Sequence, residues 1–222
     1  MLERLQACFD NIRPIYLTLL ILASPIWLGS LLLEILPIQS LVNQITGDRG
    51  LGSFLLGELM EIVPLIMIHL LTHSFVNGAT ILLLDRYQTQ GTLDLRTTVQ
   101  TTLAKLVDLV VSSLLSVVAI GIGLLFCLVP GVFLSIQLIF THETIMLDEQ
   151  SGIDSLGASW NLIRDRTWEL FLELFPIWGI TILIAFSEKL LPDWVVSGLY
   201  FLFEPLAIAY GLSIYRDLSG RN

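Results

Sequence analysis

The chain has 222 residues, 55% of them hydrophobic and only 14% charged, with a net charge of −9 and a mean hydropathy of +0.80. That leaves too little polar surface to coat a soluble globule, so the solvent it is built for is lipid. The length holds one membrane domain without a sizeable catalytic domain beside it, and the absence of clustered Lys and Arg excludes nucleic acid as a partner.

Residues 1–13 set Leu2, Leu5, Phe9 and Ile12 at helical spacing between Glu3, Arg4, Asp10 and Arg13. This is the pattern of an amphipathic helix on the membrane surface. The apolar run 15–36 is long enough to span and lacks the small-residue pattern of a signal-peptide cleavage site, so it reads as the first span. Pro14 suits its first turn, Ser24 and Pro25 predict a kink, and Pro37 ends it.

The next apolar run, 51–84, would extend roughly 50 Å as a helix against about 30 Å of hydrocarbon. A break at Pro64 is expected, with 51–63 in the outer interface and 65–84 as the second span. The alternative span, 54–72, sets Glu58 and Glu61 deeper and His73 at the edge. Residues 85–105 form a polar, Thr-rich connection whose second half reads as an amphipathic helix feeding the third span, 106–128. In that span Ser112, Ser116, Ala119 and Gly123 share one face and permit close approach of a neighbour. Pro130 and Gly131 read as an elbow that makes a hairpin of the third span and the fourth, 132–147.

Ser151 and Asp154 stand at capping-box-like spacing ahead of Leu156, Trp160 and Ile163, which predicts an interfacial helix over 152–168. The fifth span is 170–186 and the sixth 194–215, and Trp160, Trp168, Trp194 and Tyr215 fall where interfacial anchors belong. The fold class is therefore an all-α membrane protein: a six-helix transmembrane bundle with amphipathic interfacial helices at the N-terminus and between spans four and five.

Basic residues fix the orientation. Arg4 and Arg13, then Arg86, Arg96 and Lys105, then Arg164 and Arg166, then Arg216 and Arg221 occupy alternate connections, nine of the 11 in the chain, against Arg49 and Lys189 on the others. Lys- and Arg-rich short loops stay in the cytoplasm, so both termini are expected there. Cys8 and Cys127 then fall on opposite sides, which argues against a disulfide, and neither has a metal-ligand spacing.

Leu128-Val129-Pro130-Gly131, the span after it, the acidic turn to Gly152, and the run Ser155-Leu156-Gly157-Ala158-Ser159-Trp160-Asn161-Leu162-Ile163-Arg164 ending at Trp168 together carry a resemblance. They resemble the membrane domain attached to some bacterial glycerophosphoryl diester phosphodiesterases and related to YciC-like inner-membrane proteins. Pro205 and Tyr215-Arg216-Asp217-Leu218 resemble that domain's end, and the likeness covers roughly the last 140 residues. The chain departs from it at Asp165, where related sequences often place Gly. The resemblance implies a multi-pass protein of a bacterial inner membrane. In that family the diesterase activity belongs to a separate soluble barrel with an acidic metal-binding cluster, which this chain does not carry, so the membrane domain is implied and not the enzyme.

Charge inside lipid is expensive, about 2.5–3.5 kcal/mol per residue at a helix centre, which makes each ionisable residue in a span a candidate for function. Glu58, Glu61, His69, Thr72 and His73 fall within about 120° of one another on a helix, and His142, Glu143, Glu173 and Glu204 could converge with them. The polar cluster singled out is Glu61, His69, His73, His142, Glu143, Glu173 and Glu204. One reading is an intramembrane cation or proton site with the histidines and Glu143 or Glu204 as ligands; the simpler one is hydrogen bonding that holds the bundle in register. Zinc-protease chemistry is disfavoured because Leu70, not Glu, follows His69. Gly121 and Gly123 follow no strand and form no nucleotide fingerprint, and Ser159 has no activating neighbour, which leaves it a packing or capping role. No catalytic residue, cofactor or metal site is assigned.

Three functional classes follow: a non-catalytic scaffold or accessory protein of an envelope or lipid-related system, which is favoured; a small transporter or channel for a proton, cation or small solute, suggested by Pro25, Pro64, Pro176, Pro205 and the His/Glu stripe; and a lipid-acting enzyme, for which no nucleophile or metal constellation is present. The expected partners are membrane lipids and a protein at the interfacial helix around Trp160. Single-cysteine labelling in intact cells should leave 85–105 protected from impermeant reagents; labelling of that connection from outside would overturn the topology.

Overall fold

The computed structural model describes the backbone of residues 2–35 and 51–221, and side chains within 3–25 and 67–221. Among the described residues every regular element is helical: α1 (Leu2–Ile12), a 3-10 turn (Arg13–Ile15), α2 (Tyr16–Ile35), α3 (Leu51–Gln90), α4 (Leu95–Ala104), α5 (Leu106–Phe126), α6 (Leu128–Gln137), α7 (Thr141–Leu147), α8 (Asp154–Ile163), α9 (Thr167–Ser187) and α10 (Asp193–Ser219). Among the described residues six stretches are long and apolar enough to cross a membrane, namely Glu3–Pro25, Met67–Gln90, Leu106–Phe126, Leu128–Leu147, Thr167–Ser187 and Asp193–Ser219. The protein is an all-α, multi-pass membrane protein. Its outward surface is apolar, with Leu17, Leu125, Phe126, Leu172 and Leu183 exposed, while serines and threonines are buried. This inversion suits lipid, in which apolar surface gains nothing by burial and helices associate through small and polar groups.

The N-terminal elements carry one continuous stripe. Cys8, Ile12, Ile15, Leu19 and Ala23 recur every three or four residues through the 3-10 turn and are all buried. The expected apolar face of α1 included Phe9, but Cys8 takes the inward position and Phe9 lies outside, because α1 packs along α10. Arg4 anchors it there, bonding Asp217 at 2.6 Å and Glu173 at 3.3 Å. At Pro25 the helix continues, and the Ser24 hydroxyl donates to the Ile21 carbonyl at 2.7 Å, the acceptor that the missing proline N–H would have served.

Helix α3 runs unbroken from Leu51 to Gln90, past the expected break at Pro64 and past the expected end at Leu84. A proline removes one bond from a ladder that supports the rest, and membrane helices tolerate it. Beyond Leu84 the last turns are held from outside, where Arg216 bonds Asp85 at 2.6 Å and also Gln88. The amphipathic helix expected in the following connection is α4, capped by Asp94, which accepts from the Thr97 hydroxyl at 2.5 Å and the Thr97 N–H at 3.1 Å. Those two bonds hold the Asp94 carboxyl below the usual carboxylate range.

The hairpin of spans three and four forms, but its elbow is Cys127 in extended conformation rather than Pro130-Gly131. Pro130 sits in the first turn of α6, where its missing N–H costs no helical bond. Gly131 serves close contact instead: a Cβ there would lie 2.5 Å from Leu124 Cγ, and one on Gly123 would lie 3.0 Å from Gly131 Cα. Close crossing of α5 and α6 therefore needs glycine on both sides, and the predicted Ser112/Gly123 face is the one that turns inward.

The expected fourth span is two helices, α6 and α7, separated by a turn at 138–140. Helix α8 is shorter than the predicted 152–168, since the chain turns at 164–166 before α9 begins. Its buried face is Ser155, Ser159 and Ile163 rather than Leu156, Trp160 and Ile163. Trp160 points away, edge-on to Phe133 at 5.7 Å. Ser151 and Asp154 do meet, at 2.6 Å.

Contacts gather the charged residues at one end of the bundle. Arg221 bonds Asp148 at 2.5 Å, Tyr215 donates to Asp148, and Lys105 Nζ donates to the Ile145 carbonyl at 2.8 Å. With the Arg216–Asp85 and Arg4–Asp217 pairs, these bring together the chain's beginning and end, the end of α3, the start of α5 and the end of α7, which is the alternation the basic residues predicted.

Gly152 closes this end, its N–H donating to Asp108 Oδ1 at 2.9 Å; a Cβ on it would lie 2.7 Å from the Asp108 carbonyl oxygen. Gly152→Ala should lower stability by about 1–3 kcal/mol through overpacking against backbone, whereas Gly157→Ala, with open space around it, should be neutral in thermal unfolding of the purified protein.

Candidate functional site

The interruption of the fourth span shapes the site. Helix α6 closes with the Leu138 N–H on the Leu134 carbonyl at 3.1 Å, and α7 opens with the Thr144 N–H on the Phe140 carbonyl at 3.0 Å. Between them the Gln137 carbonyl and the Phe140 N–H leave the helical ladder, and an unpaired backbone group inside a membrane costs several kcal/mol. Ser159 of α8 repairs both: its hydroxyl donates to the Gln137 carbonyl at 2.7 Å and accepts from the Phe140 N–H at 3.3 Å. The Gln137 side chain, fully buried, donates to Thr167 Oγ1 at 2.7 Å and leaves its Oε1 without a partner.

Beside the interruption lies a cavity of about 460 Å³ between α3, α5, α9 and α10. Its polar lining comprises His73 and Asn77 of α3, Ser113 and Ser116 of α5, Thr141, His142 and Glu143 of α7, and Glu204 of α10; Leu70, Val117, Ile177, Trp178 and Ile208 are among its apolar walls. The geometry follows from local spacing. His73 and Asn77 are one turn apart, and Asn77 Nδ2 meets the His73 ring at 3.0 Å. Ser113 bonds His142 Nε2 at 2.8 Å and Ser74 at 2.9 Å, and also reaches the Leu109 carbonyl at 2.8 Å. A hydroxyl has one hydrogen, so with that hydrogen on the Leu109 carbonyl, which can only accept, His142 presents Nε2–H to Ser113.

Glu143 differs from its neighbours. The residue is only 7% exposed, it lines the cavity, and among the described residues its carboxyl has no hydrogen bond or ion pair to another side chain. Gly211 lies opposite, where an added Cβ would come 3.8 Å from Glu143 Oε1. The Ser116 hydroxyl is likewise buried and unpaired. Across the cavity Glu204 Oε1 stands 3.9 Å from His73 Nε2, too far for a direct hydrogen bond but close enough for charge attraction when the ring is protonated.

Of the residues singled out in the sequence, His73, His142, Glu143 and Glu204 therefore converge. His69 does not line the cavity, though its ring stacks on His73 at 5.8 Å. Glu173 lies elsewhere, at the charged end with Arg4, since α9 places it only two turns from its start. Glu61 lies in α3, and its side chain is outside those described. Sequence reading missed Asn77, Ser113 and Ser74, which the spacing from His73 and the small-residue face of α5 could have indicated. No group of three or more His, Cys, Asp or Glu among the described residues is arranged to hold a metal ion.

No protein-family model, curated protein or solved structure matches the chain. Ser159→Ala leaves the Phe140 N–H and the Gln137 carbonyl unpaired and should cost about 1–3 kcal/mol; an unchanged unfolding midpoint would show that the interruption does not depend on that hydroxyl.

Proposed function

We propose that the protein is a non-enzymatic, multi-pass protein of a bacterial inner membrane that binds and conducts a small solute through the cavity at the interrupted fourth span. The observation that carries this reading is Glu143, a buried carboxyl without a side-chain partner that faces the cavity. A carboxyl retained only to hold helices in register would bond a neighbouring helix. Broken membrane helices recur in carriers because they place polar groups at mid-depth beside a cavity. The nine basic residues on alternate connections support placing both termini in the cytoplasm.

A second reading, that of an accessory protein of an envelope or lipid-related system, rests on Trp160. This residue stays partly exposed on α8, edge-on to Phe133, where a cytoplasmic or membrane partner could dock. It also agrees with the resemblance to the diesterase-associated membrane domain.

Flux in proteoliposomes separates the two. Proton, cation or small-solute uptake above that of empty vesicles, reduced at least tenfold by Glu143→Gln and unchanged by Glu173→Gln, is the expected result. Absence of any flux or ligand binding, together with a copurifying partner lost on Trp160→Ala, would replace the carrier reading with the accessory one.

A further inference from the structure

The lining of the cavity also selects what it can hold, on the premise above that it is a binding site. Its ionisable side chains are Glu143, Glu204, His73 and His142, and no Lys or Arg lines it among the described residues. An anionic ligand would meet two carboxyls with no fixed cation to offset them. A neutral ligand would leave the buried Glu143 carboxyl without a counter-charge. A cation supplies the missing counter-charge, and in a site of low dielectric an ion is accommodated only when it is paired.

The remaining features constrain the cation's shape. The walls are hydrocarbon and indole, and Trp178 offers a ring to a charged centre. The volume of about 460 Å³ lies in the range of small-molecule sites. His73 and Val117 lie about 18 Å along their helices from Asp85 and Lys105 of the charged end, and have exposures of 45% for the side chain and 60% for the residue, so the cavity opens beside them at bilayer depth. A hydrated metal ion has no route through acyl chains, and among the described residues no three-ligand group awaits it.

We propose that the cavity binds a lipophilic monocation, an apolar body carrying one positive centre, which enters sideways from the bilayer and takes the Glu143 carboxylate as its counter-ion, with Glu204 across the cavity as a second acid.

Tetraphenylphosphonium and tetraphenylborate share one shape and differ in sign, which isolates the charge. Equilibrium dialysis of each against the full-length protein in lipid nanodiscs, with empty nanodiscs subtracted, should give saturable binding of the phosphonium near one per protein and none of the borate. Glu143→Gln should weaken phosphonium binding at least tenfold, and bound phosphonium should quench tryptophan fluorescence in the wild type far more than in Trp178→Phe. Saturable borate binding equal to or tighter than that of the phosphonium would overturn the proposal, and this comparison needs no variant to fold. Phosphonium binding unaltered by Glu143→Gln would overturn it as well. If neither ion binds while another solute shows Glu143-dependent flux, this inference falls and the carrier reading stands; if there is neither binding nor flux, both fall.

Discussion

A backbone N–H or carbonyl in hydrocarbon has no water to turn to, and that constraint organises the whole bundle. Six apolar stretches satisfy it by being helical. One of them satisfies it only with help, since between Gln137 and Thr141 the fourth span leaves its own ladder and borrows the hydroxyl of Ser159. That hydroxyl belongs to α8, a helix outside the fourth span. The packing of α8 against α6 and α7 is thus what permits an interruption within the membrane. The interruption in turn brings Glu143 and His142 to the wall of a cavity.

The charged end of the bundle performs a complementary task. Ion pairs at partly exposed positions contribute little each, about 0–1 kcal/mol, so the Arg4, Arg216 and Arg221 pairs serve less as glue than as register marks. They tie the first helix to the last and the last to the ends of α3 and α7. With those ends pinned, and α5 crossing α6 at Gly123 and Gly131, the five segments that surround the cavity keep a fixed spacing. A cavity held open in this way can stay lined by the unpaired Ser116 hydroxyl and by Glu143, which has no side-chain partner, without the bundle collapsing to pair them.

Much of this was legible in the chain. Helix ends at Ile12, Phe126 and Ser187 lie within two residues of expectation because Pro14, the Cys127-to-Gly131 segment and the charged stretch after Ser187 are local punctuation. The inward face of α5 was legible from Ser112 and Gly123, and the gathering of charge at one end from the distribution of Lys and Arg. Four members of the polar cluster converge as their residue types suggested, because an ionisable group in a span turns inward. The misplaced helix breaks have one cause. Pro64 and Pro130 were weighed as breakers by residue type, yet the first lies in a long supported helix and the second in a first turn. The real interruption, at Leu138-Ile139-Phe140, contains neither Gly nor Pro. Nothing local announces it, because its stabilising partner is Ser159 in another helix.

The sequence by itself determined the solvent, the helical class, the six membrane stretches and the alternation of charged ends, because each depends on hydropathy, length and residue type along a single segment. Tertiary structure decided that the fourth span is broken, that Cys8 rather than Phe9 faces inward, that Glu173 pairs with Arg4 instead of joining the cavity, and that Glu143 is left without a side-chain partner. Those outcomes rest on which groups of different helices meet across the bundle, and no period along the chain encodes that meeting.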